Sequence, residues 1–309
     1  MANLNFLDIA KMNNTDDLTG LIEESISAAP EVQLGAARSI VGTNYETLAR
    51  TSLPVPGFRS ANEGAVPLKS AYANKLVQTF IMDAPIEVDK AVADANEDGA
   101  ESVIAMEAGG VLEGAFRVLG SQFYYGTATS VATSTALAPT KGYPGLTQTV
   151  DAANVFDVGG TGSDTSSAWL IKWGPKDVQW VIGRGGEIQS GDTRTERLTD
   201  SAGNPYDGYR KPFLVYVGVQ IVNPHSIVRI KNIDSATNTL NDDDIYEALE
   251  LFPAGIRPDQ IFMTGRSRNQ IRTSRTATND SGSPAPMPTE IDGVPIVRTD
   301  SLSNAETAA

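Results

Sequence analysis

The stretch PVPGFRSANEG, residues 54–64, combines two prolines, two glycines and small polar side chains, a composition that disfavours a helix. It is also too long for a tight turn. It connects two stretches rich in strand-forming residues, Tyr45–Leu53 and Asn74–Val88. A long connection with little core of its own is typically functional or flexible. The sequence therefore predicts an extended finger, a hairpin at residues 45–90 that projects from the body of the protein.

Residues 1–44, which precede the finger, are predicted to form an N-terminal arm. After the candidate N-cap Thr15, apolar side chains recur at helical spacing: Leu18, Leu21, Ile22 and Ile26. Pro30 ends this predicted helix, because proline cannot continue the hydrogen-bond ladder. One short amphipathic helix cannot bury its apolar stripe alone. We therefore expect the arm to dock either on its own body or on a neighbouring molecule.

The strongest helical pattern follows the finger, from about Asp94 to Phe123. At 1.5 Å per residue, about 30 residues give a helix about 45 Å long, which can serve as a spine. Gly109 and Gly110 lie in its middle, where each costs about 1 kcal/mol relative to alanine. That cost predicts a bend or the close approach of another backbone. The apolar stripe consists of Ile104, Ala108, Val111, Leu112, Ala115, Leu119 and Phe123.

The remaining sequence is mainly strand-like, with two helical segments among the predicted strands. Asp242–Asp244 are expected to cap a short helix at Ile245–Leu251, and a polar helix is expected to end near Arg275. Asp292-Gly293 between apolar residues predicts a tight hairpin. The predicted strands are Ala168–Trp173, Asp177–Ile182, Phe213–Val222, Ser226–Ile230 and Gln260–Met263.

Charge argues against several classes of partner. The chain has 309 residues, with 24 Lys and Arg against 38 Asp and Glu, a formal net charge of −14. So acidic a protein is not expected to coat nucleic acid or to bind an anionic membrane surface. The sequence contains no run of about 18 apolar residues, so no membrane span is predicted. The N-terminus lacks the pattern of a signal peptide, and none is predicted.

The sequence offers little catalytic equipment, and we predict that the protein is not an enzyme and carries no cofactor or metal. It has no cysteine and one histidine, His225, which excludes thiolate chemistry and sites that need two imidazoles. Glycine-rich loops at residues 159–162 and 183–186 lack phosphate-binding spacing and are predicted to be turns. Trp169, Trp173 and Trp180 are expected in the core. A pair of carboxylates brought together only in space remains open.

The order of these elements resembles the Hong Kong 97-type major capsid protein of tailed bacteriophages. Residues 57–64 at the finger, Lys75–Asp89 before the helix, Trp173–Val178, Pro258–Arg266 and Ile291–Val297 are similar to that family. The resemblance implies an α+β capsid fold with an N-arm, an extended E-loop hairpin, a P-domain with a spine helix, and a mixed A-domain. The implied division is residues 1–44 for the N-terminal arm, 45–90 for the E-loop hairpin, 91–150 for the P-domain with the spine helix, 151–275 for mainly the A-domain, and 276–309 for a C-terminal segment returning to the P-domain.

The resemblance also implies a virion protein, made in the host cytoplasm, that assembles through hexamers and pentamers into an icosahedral head around double-stranded DNA. The implied partners are sister copies, packaged DNA held by weak non-specific contact, and scaffold, decoration and portal proteins, with no membrane. The candidate inter-subunit contacts lie on the finger and the arm: Phe58, Arg59, Glu63, Lys69, Leu18 and Ile22.

Two alternatives remain at this point. An encapsulin-like nanocompartment shell would share the fold while enclosing a cargo enzyme. A carboxylate-dependent hydrolase would instead be a small monomer with turnover.

Overall fold

The computed structural model describes residues 29–126, 141–186, 189–279 and 283–308. Its helices are α1 (Pro30–Leu34), α2 (Lys90–Ala93), α3 (Ala100–Tyr125), α4 (Leu146–Thr149), α5 (Asp242–Glu250) and α6 (Gly265–Ala277). Its strands are β1 (Ala37–Ser39), β2 (Asn44–Ser52), β3 (Ala71–Gln78), β4 (Phe80–Asp83), β5 (Ile86–Asp89), β6 (Val155–Asp157), β7 (Ser166–Ile171), β8 (Val178–Ile182), β9 (Gln189–Ser190), β10 (Arg194–Thr199), β11 (Pro205–Lys211), β12 (Phe213–Ile221), β13 (Ile227–Ile233), β14 (Gln260–Met263), β15 (Glu290–Ile291) and β16 (Val294–Arg298).

A six-stranded sheet, in the order β15-β16-β14-β7-β13-β6, holds the main core. All six residues of β7 are buried, so this strand is covered on both faces. On one face Ala168 and Leu170 pack with Ile245 of α5 and Ile271 of α6. The continuous apolar run of β7 is explained by this double burial, because a strand between two cores has no solvent face.

The opposite face of the sheet carries an aromatic core at the C-terminal end of α3. The Phe123 ring lies 5.0 Å from the Trp180 ring, and the Tyr124 ring lies 6.0 Å from the Trp169 ring, measured between centroids. Trp169 and Trp180 are buried, as predicted, and Trp173 is half-buried against the same cluster. Offset aromatic pairs of this kind add stability beyond their buried area. They fix the end of the spine helix on the body.

A second sheet, in the order β1-β8-β12-β4 with β9 also paired to β12, lies under the middle of α3. It draws its strands from the predicted arm, the predicted finger and the segment after residue 150. A third sheet joins β10, β11 and β5. The hairpin formed by β10 and β11 had no counterpart in the sequence analysis.

The finger differs from its prediction in one respect, because the strand expected at Asn74–Val88 is not continuous. It ends at Gln78, and the chain then enters a different sheet as β4, paired with β12. Thr79 sets this boundary. Its backbone N–H donates to the Thr43 carbonyl at 2.8 Å, and its hydroxyl donates to the same oxygen at 2.8 Å. The expectation of one strand was wrong because strand-forming composition does not reveal a change of partner.

The spine helix α3 starts later than predicted, at Ala100 instead of Asp94. Gly99 has a φ of +85°, which breaks the helical path, and Asp94 instead pairs with Lys90 of α2 at 2.8 Å. The 26 residues of α3 give a length of about 39 Å. Within the described chain, nothing lies within 4 Å of a Cβ built on Gly109 or Gly110. The close approach predicted there is therefore not made by the described part of this copy.

Two turn predictions near the C-terminus have different outcomes. The cap of α5 is Asn241 instead of Asp242–Asp244: the Asn241 carboxamide accepts from the Asp244 N–H, and the Asp244 carboxylate accepts from the Asn241 N–H, each at 3.0 Å. This reciprocal pair is a capping box, so the aspartates belong to the helix itself. The hairpin at Asp292-Gly293 is confirmed. Both residues have positive φ, at 50° and 70°, which suits a type I′ turn.

Candidate inter-subunit surfaces

The finger leaves its apolar side chains in solvent. Strands β2 and β3 pair from Asn44 with Gln78 to Ser52 with Ala71, and the connection spans residues 53–70. Phe58 has a relative exposure of 110%, as in an open peptide. Eight large apolar side chains of β2, β3 and the connection between them are exposed: Leu48, Leu53, Val55, Phe58, Val66, Leu68, Tyr72 and Leu76. A surface of this kind is typical of an interaction site.

Two of the predicted contact residues, Arg59 and Glu63, shape the tip of the finger. The Arg59 guanidinium donates to the Glu63 carbonyl at 2.5 Å, and the Ser60 N–H donates to the Glu63 carboxylate at 2.9 Å. The Glu63 N–H in turn donates to the Ser60 carbonyl at 3.3 Å. These bonds close a turn next to Phe58, while Lys69 is exposed on the returning limb. The tip is therefore folded locally, by hydrogen bonds within residues 59–63.

The root of the finger, by contrast, is bonded to the body. The Tyr45 hydroxyl donates to the Gln220 side chain on β12, and the Lys75 ammonium donates to the Val222 carbonyl at 2.8 Å. Val77 is buried with Val181 of β8. The finger is thus fixed at its base and free at its tip, a geometry suited to reaching another molecule.

The other two predicted contact residues, Leu18 and Ile22, lie outside the described residues. The described chain starts at Ala29, immediately before α1, whose Glu31 is fully buried. The Thr299 hydroxyl donates to a Glu31 carboxylate oxygen at 2.8 Å. Burial raises the pKa of Glu31, although hydrogen bonds from Ser301 and Thr299 oppose the shift. Sequence analysis did not find this residue, because an acid in the first turn of a helix is ordinarily a solvent-exposed partner of the helix dipole.

A second buried carboxylate, Glu306, attaches the C-terminal segment to the body. It pairs with Arg229 of β13 at 3.2 Å, and both side chains are at most 15% exposed. Tyr125 at the end of α3 donates to Glu306 at 2.5 Å, and Ser167 of β7 donates to it at 2.6 Å. Burial is the main cause that raises the pKa of Tyr125, and the adjacent Glu306 charge adds to it. No signal in the sequence singles out Glu306, since its partners lie 77 to 181 residues away.

The residues considered for chemistry have structural surroundings. His225 is exposed on a short 3-10 turn, and Asp242 forms a bidentate pair with Arg275, at 2.7 and 2.8 Å. Among the described residues, no group of three or more His, Cys, Asp or Glu is placed to hold a metal ion. Likewise, no helix in the described part of the chain has the length and apolarity to cross a membrane.

Comparisons with known proteins agree with this geometry. The sequence profile of the family described as "Major capsid protein GP7" matches residues 36–309. The bacteriophage Epsilon15 structure matches 100% of this chain and 98% of its own, with a TM-score of 0.70 and 21% identity. Solved structures with lower scores include the procapsid of bacteriophage JBD30 (TM-score 0.44, 11% identity, 90% of this chain and 93% of that one) and the SrpI encapsulin of Synechococcus elongatus (TM-score 0.49, 8% identity, 77% and 98%). No curated protein matches the sequence.

The likeness to the Epsilon15 structure covers both chains nearly end to end and shows the fold, which is the Hong Kong 97-type capsid fold expected from the sequence. The family match covers most of the chain, including the finger, the spine helix and all the sheets. A capsid subunit has a structural role, is part of the virion and assembles with copies of itself. The chain therefore belongs to the GP7 major capsid protein family and is a structural subunit of a bacteriophage capsid.

Proposed function

We propose that this subunit assembles through hexamers and pentamers into an icosahedral head that encloses double-stranded DNA, and that the finger makes the principal contact with a sister copy. The observation that carries the proposal is the exposure of Phe58 and seven other large apolar side chains of the finger, which the described residues of their own subunit leave uncovered. The predicted division into N-terminal arm, E-loop hairpin, P-domain, A-domain and C-terminal segment is part of the same proposal.

The energetics favour such a contact. Burying one large apolar side chain contributes about 1.5–3 kcal/mol, so a few finger residues suffice for a contact that is weak alone and strong when repeated. A finger that binds a different surface on its neighbour makes a heterologous contact. Contacts of this type close into rings when the rotation between copies allows it.

The individual contact residues have different expected roles. We propose that Phe58 supplies the apolar anchor, while Arg59, Glu63 and Lys69 supply charged contacts around it. Arg59 and Glu63 also hold the tip in its turn, so their substitution would alter both the shape and the charge of the contact. Leu18 and Ile22 of the arm stay predicted inter-subunit contacts.

The proposed partners follow from charge and from the assembly pathway of a head. A net charge of −14 repels DNA, so contact with packaged DNA is weak and non-specific. Scaffold, decoration and portal proteins complete the proposed set of partners. Synthesis takes place in the host cytoplasm, and the subunit performs no catalysis.

The test replaces Phe58 by serine, with Phe58→Leu as a matched control that keeps an apolar side chain. We expect Phe58→Ser to raise the subunit concentration needed for assembly by about tenfold or more, and Phe58→Leu to shift it far less. Sucrose-gradient sedimentation and electron microscopy give the fraction in shells. The thermal unfolding of isolated subunits should be unchanged in both variants, since Phe58 touches no core. Normal assembly of Phe58→Ser would overturn the proposed role of the finger.

A further inference from the structure

An apolar cleft lies between the middle of the spine helix and the five-stranded sheet. Val111, Ala115 and Leu119 of α3 line one side, and Met82 of β4 and Val215 of β12 line the other. Its volume is about 230 Å³, and all sixteen lining residues are apolar. It is open at the surface, so its lining meets water in the isolated body. An open cleft lined by apolar residues fits an apolar stripe from a polypeptide.

The root of the N-terminal arm is located at one end of this cleft. Val32 of α1 forms part of the cleft wall. Ala29, the first described residue, lies against Gly120: a Cβ built on Gly120 would come within 3.0 Å of the Ala29 Cβ. Gly120 directly follows Leu119, the last spine residue of the lining. The described part of the chain therefore begins beside the cleft.

The arm also matches the cleft in length and chemistry. Its apolar stripe runs from Leu18 to Ile26, nine residues that span about 12 Å as a helix. The spine residues of the lining run from Val111 to Leu119, again nine residues and about 12 Å. Ile26 precedes Ala29 by three residues, so the stripe reaches the cleft without a long connection. Ala115, at the centre of these spine residues, has a small side chain.

We propose that, in the unassembled subunit, the cleft is the docking site of the chain's own arm, which lays Leu18, Ile22 and Ile26 along the spine helix. The proposal goes beyond the assembly role of the finger and concerns the subunit before it joins a shell. It is compatible with an inter-subunit role for Leu18 and Ile22, because an arm exchanged between neighbours would make the same contact on a sister copy.

The absence of cysteine from the chain allows a direct test by thiol labelling. Ala115→Cys places one thiol in the cleft, and its reaction with a maleimide is followed in dilute subunits isolated by size-exclusion chromatography. The same variant is then combined with Leu18→Asp and Ile22→Asp, which break the apolar stripe. We expect labelling to become at least about tenfold faster in the combined variant, because the arm no longer covers the thiol.

Two controls make the result specific. Glu23→Asp with Glu24→Asp puts two aspartates on the acidic side of the arm and should leave Ala115→Cys protected. Ser201→Cys, at the exposed turn between β10 and β11, should react equally fast with either arm. Fast labelling of Ala115→Cys with the intact arm would show an empty cleft and overturn the proposal, leaving a sister's finger as the occupant to consider. If Ala115→Cys is labelled slowly and the rate is unchanged by Leu18→Asp and Ile22→Asp, the proposal is overturned as well. Because the readout uses unassembled subunits, it is independent of the outcome for Phe58.

Discussion

Glu31 is a carboxylic acid buried where the root of the arm, the spine helix and the C-terminal segment meet. The Thr299 hydroxyl donates a hydrogen bond to it, the Asp300 charge opposes its ionisation, and none of the groups that shift its pKa is a cation. Gly120 supplies the space, since a Cβ there would lie 2.3 Å from a Glu31 oxygen. The phenols of Tyr124 and Tyr143 are buried nearby, and the Glu31 charge contributes to raising their pKa after burial itself. Burial without a cation favours the neutral acid.

This burial gives the stability of the subunit a pH dependence of defined sign. The pKa of Glu31 is raised in the folded state above its ordinary value of 4.5. As the pH increases, Glu31 therefore loses its proton in the unfolded chain before it does so in the folded subunit. The contribution of Glu31 to the free energy of unfolding is complete below about pH 4.5 and declines above it until the pKa of the folded state is reached. We expect Glu31→Gln to remove that decline and to stabilise the subunit at neutral pH by on the order of 1 kcal/mol. Denaturant unfolding at several pH values measures the free energy of unfolding of each variant, and Glu250→Gln, at an exposed position, is the control. A parallel pH profile for wild type and Glu31→Gln would contradict this account.

The spine helix carries two glycines for which the described part of the subunit shows no packing reason, although glycine costs stability inside a helix. Gly109 and Gly110 are exposed, and none of the residues that the structure describes lies within 4 Å of a Cβ built on either. Alanine at each position should therefore stabilise the isolated subunit by about 0.5–1 kcal/mol, measured by denaturant unfolding. Gly120→Ala on the same helix is the control of opposite sign, because its Cβ would lie 2.2 Å from the Ser301 hydroxyl. Destabilisation by Gly109→Ala would show that the helix needs glycine for its own conformation.

Elements governed by local sequence were predictable, and those governed by distant partners were not. Strand β14 matches its predicted bounds, Gln260–Met263, and the Asp292-Gly293 turn is explained by its own two residues. The hairpin of β10 and β11 was missed because its charged strands are stabilised by pairing with β5, over 100 residues earlier. The break after Gln78 was missed for the same reason.

The same distinction applies to the candidate surfaces. The finger and the exposure of Phe58 followed from the composition of residues 54–64 alone. The buried acids Glu31 and Glu306 were not predictable, because each acquires its surroundings from segments at the other end of the chain. Nor could the sequence show that Arg59 and Glu63 form hydrogen bonds that close a turn at the tip of the finger.

The acidity of the subunit affects every contact in a shell at once. Each copy contributes a net charge of −14, so bringing copies together adds repulsion to every interface. The Debye length falls from about 30 Å at 0.01 M salt to about 10 Å at 0.1 M, which confines that repulsion to close charges. The apolar contacts proposed for the finger are not screened, so added salt should shift the balance toward assembly.

We therefore expect the subunit concentration required for assembly to fall by about tenfold, equivalent to about 1.4 kcal/mol, between 0.01 and 0.1 M sodium chloride. Light scattering on dilution series gives that concentration at each salt level. Sucrose at matched osmolality is the control, because it promotes burial of surface without screening charge. An equal shift with sucrose would assign the effect to burial. Weaker assembly in salt would mean that ion pairs between copies, such as those available to Arg59 and Lys69, outweigh the repulsion, and that charge attraction is what closes the shell.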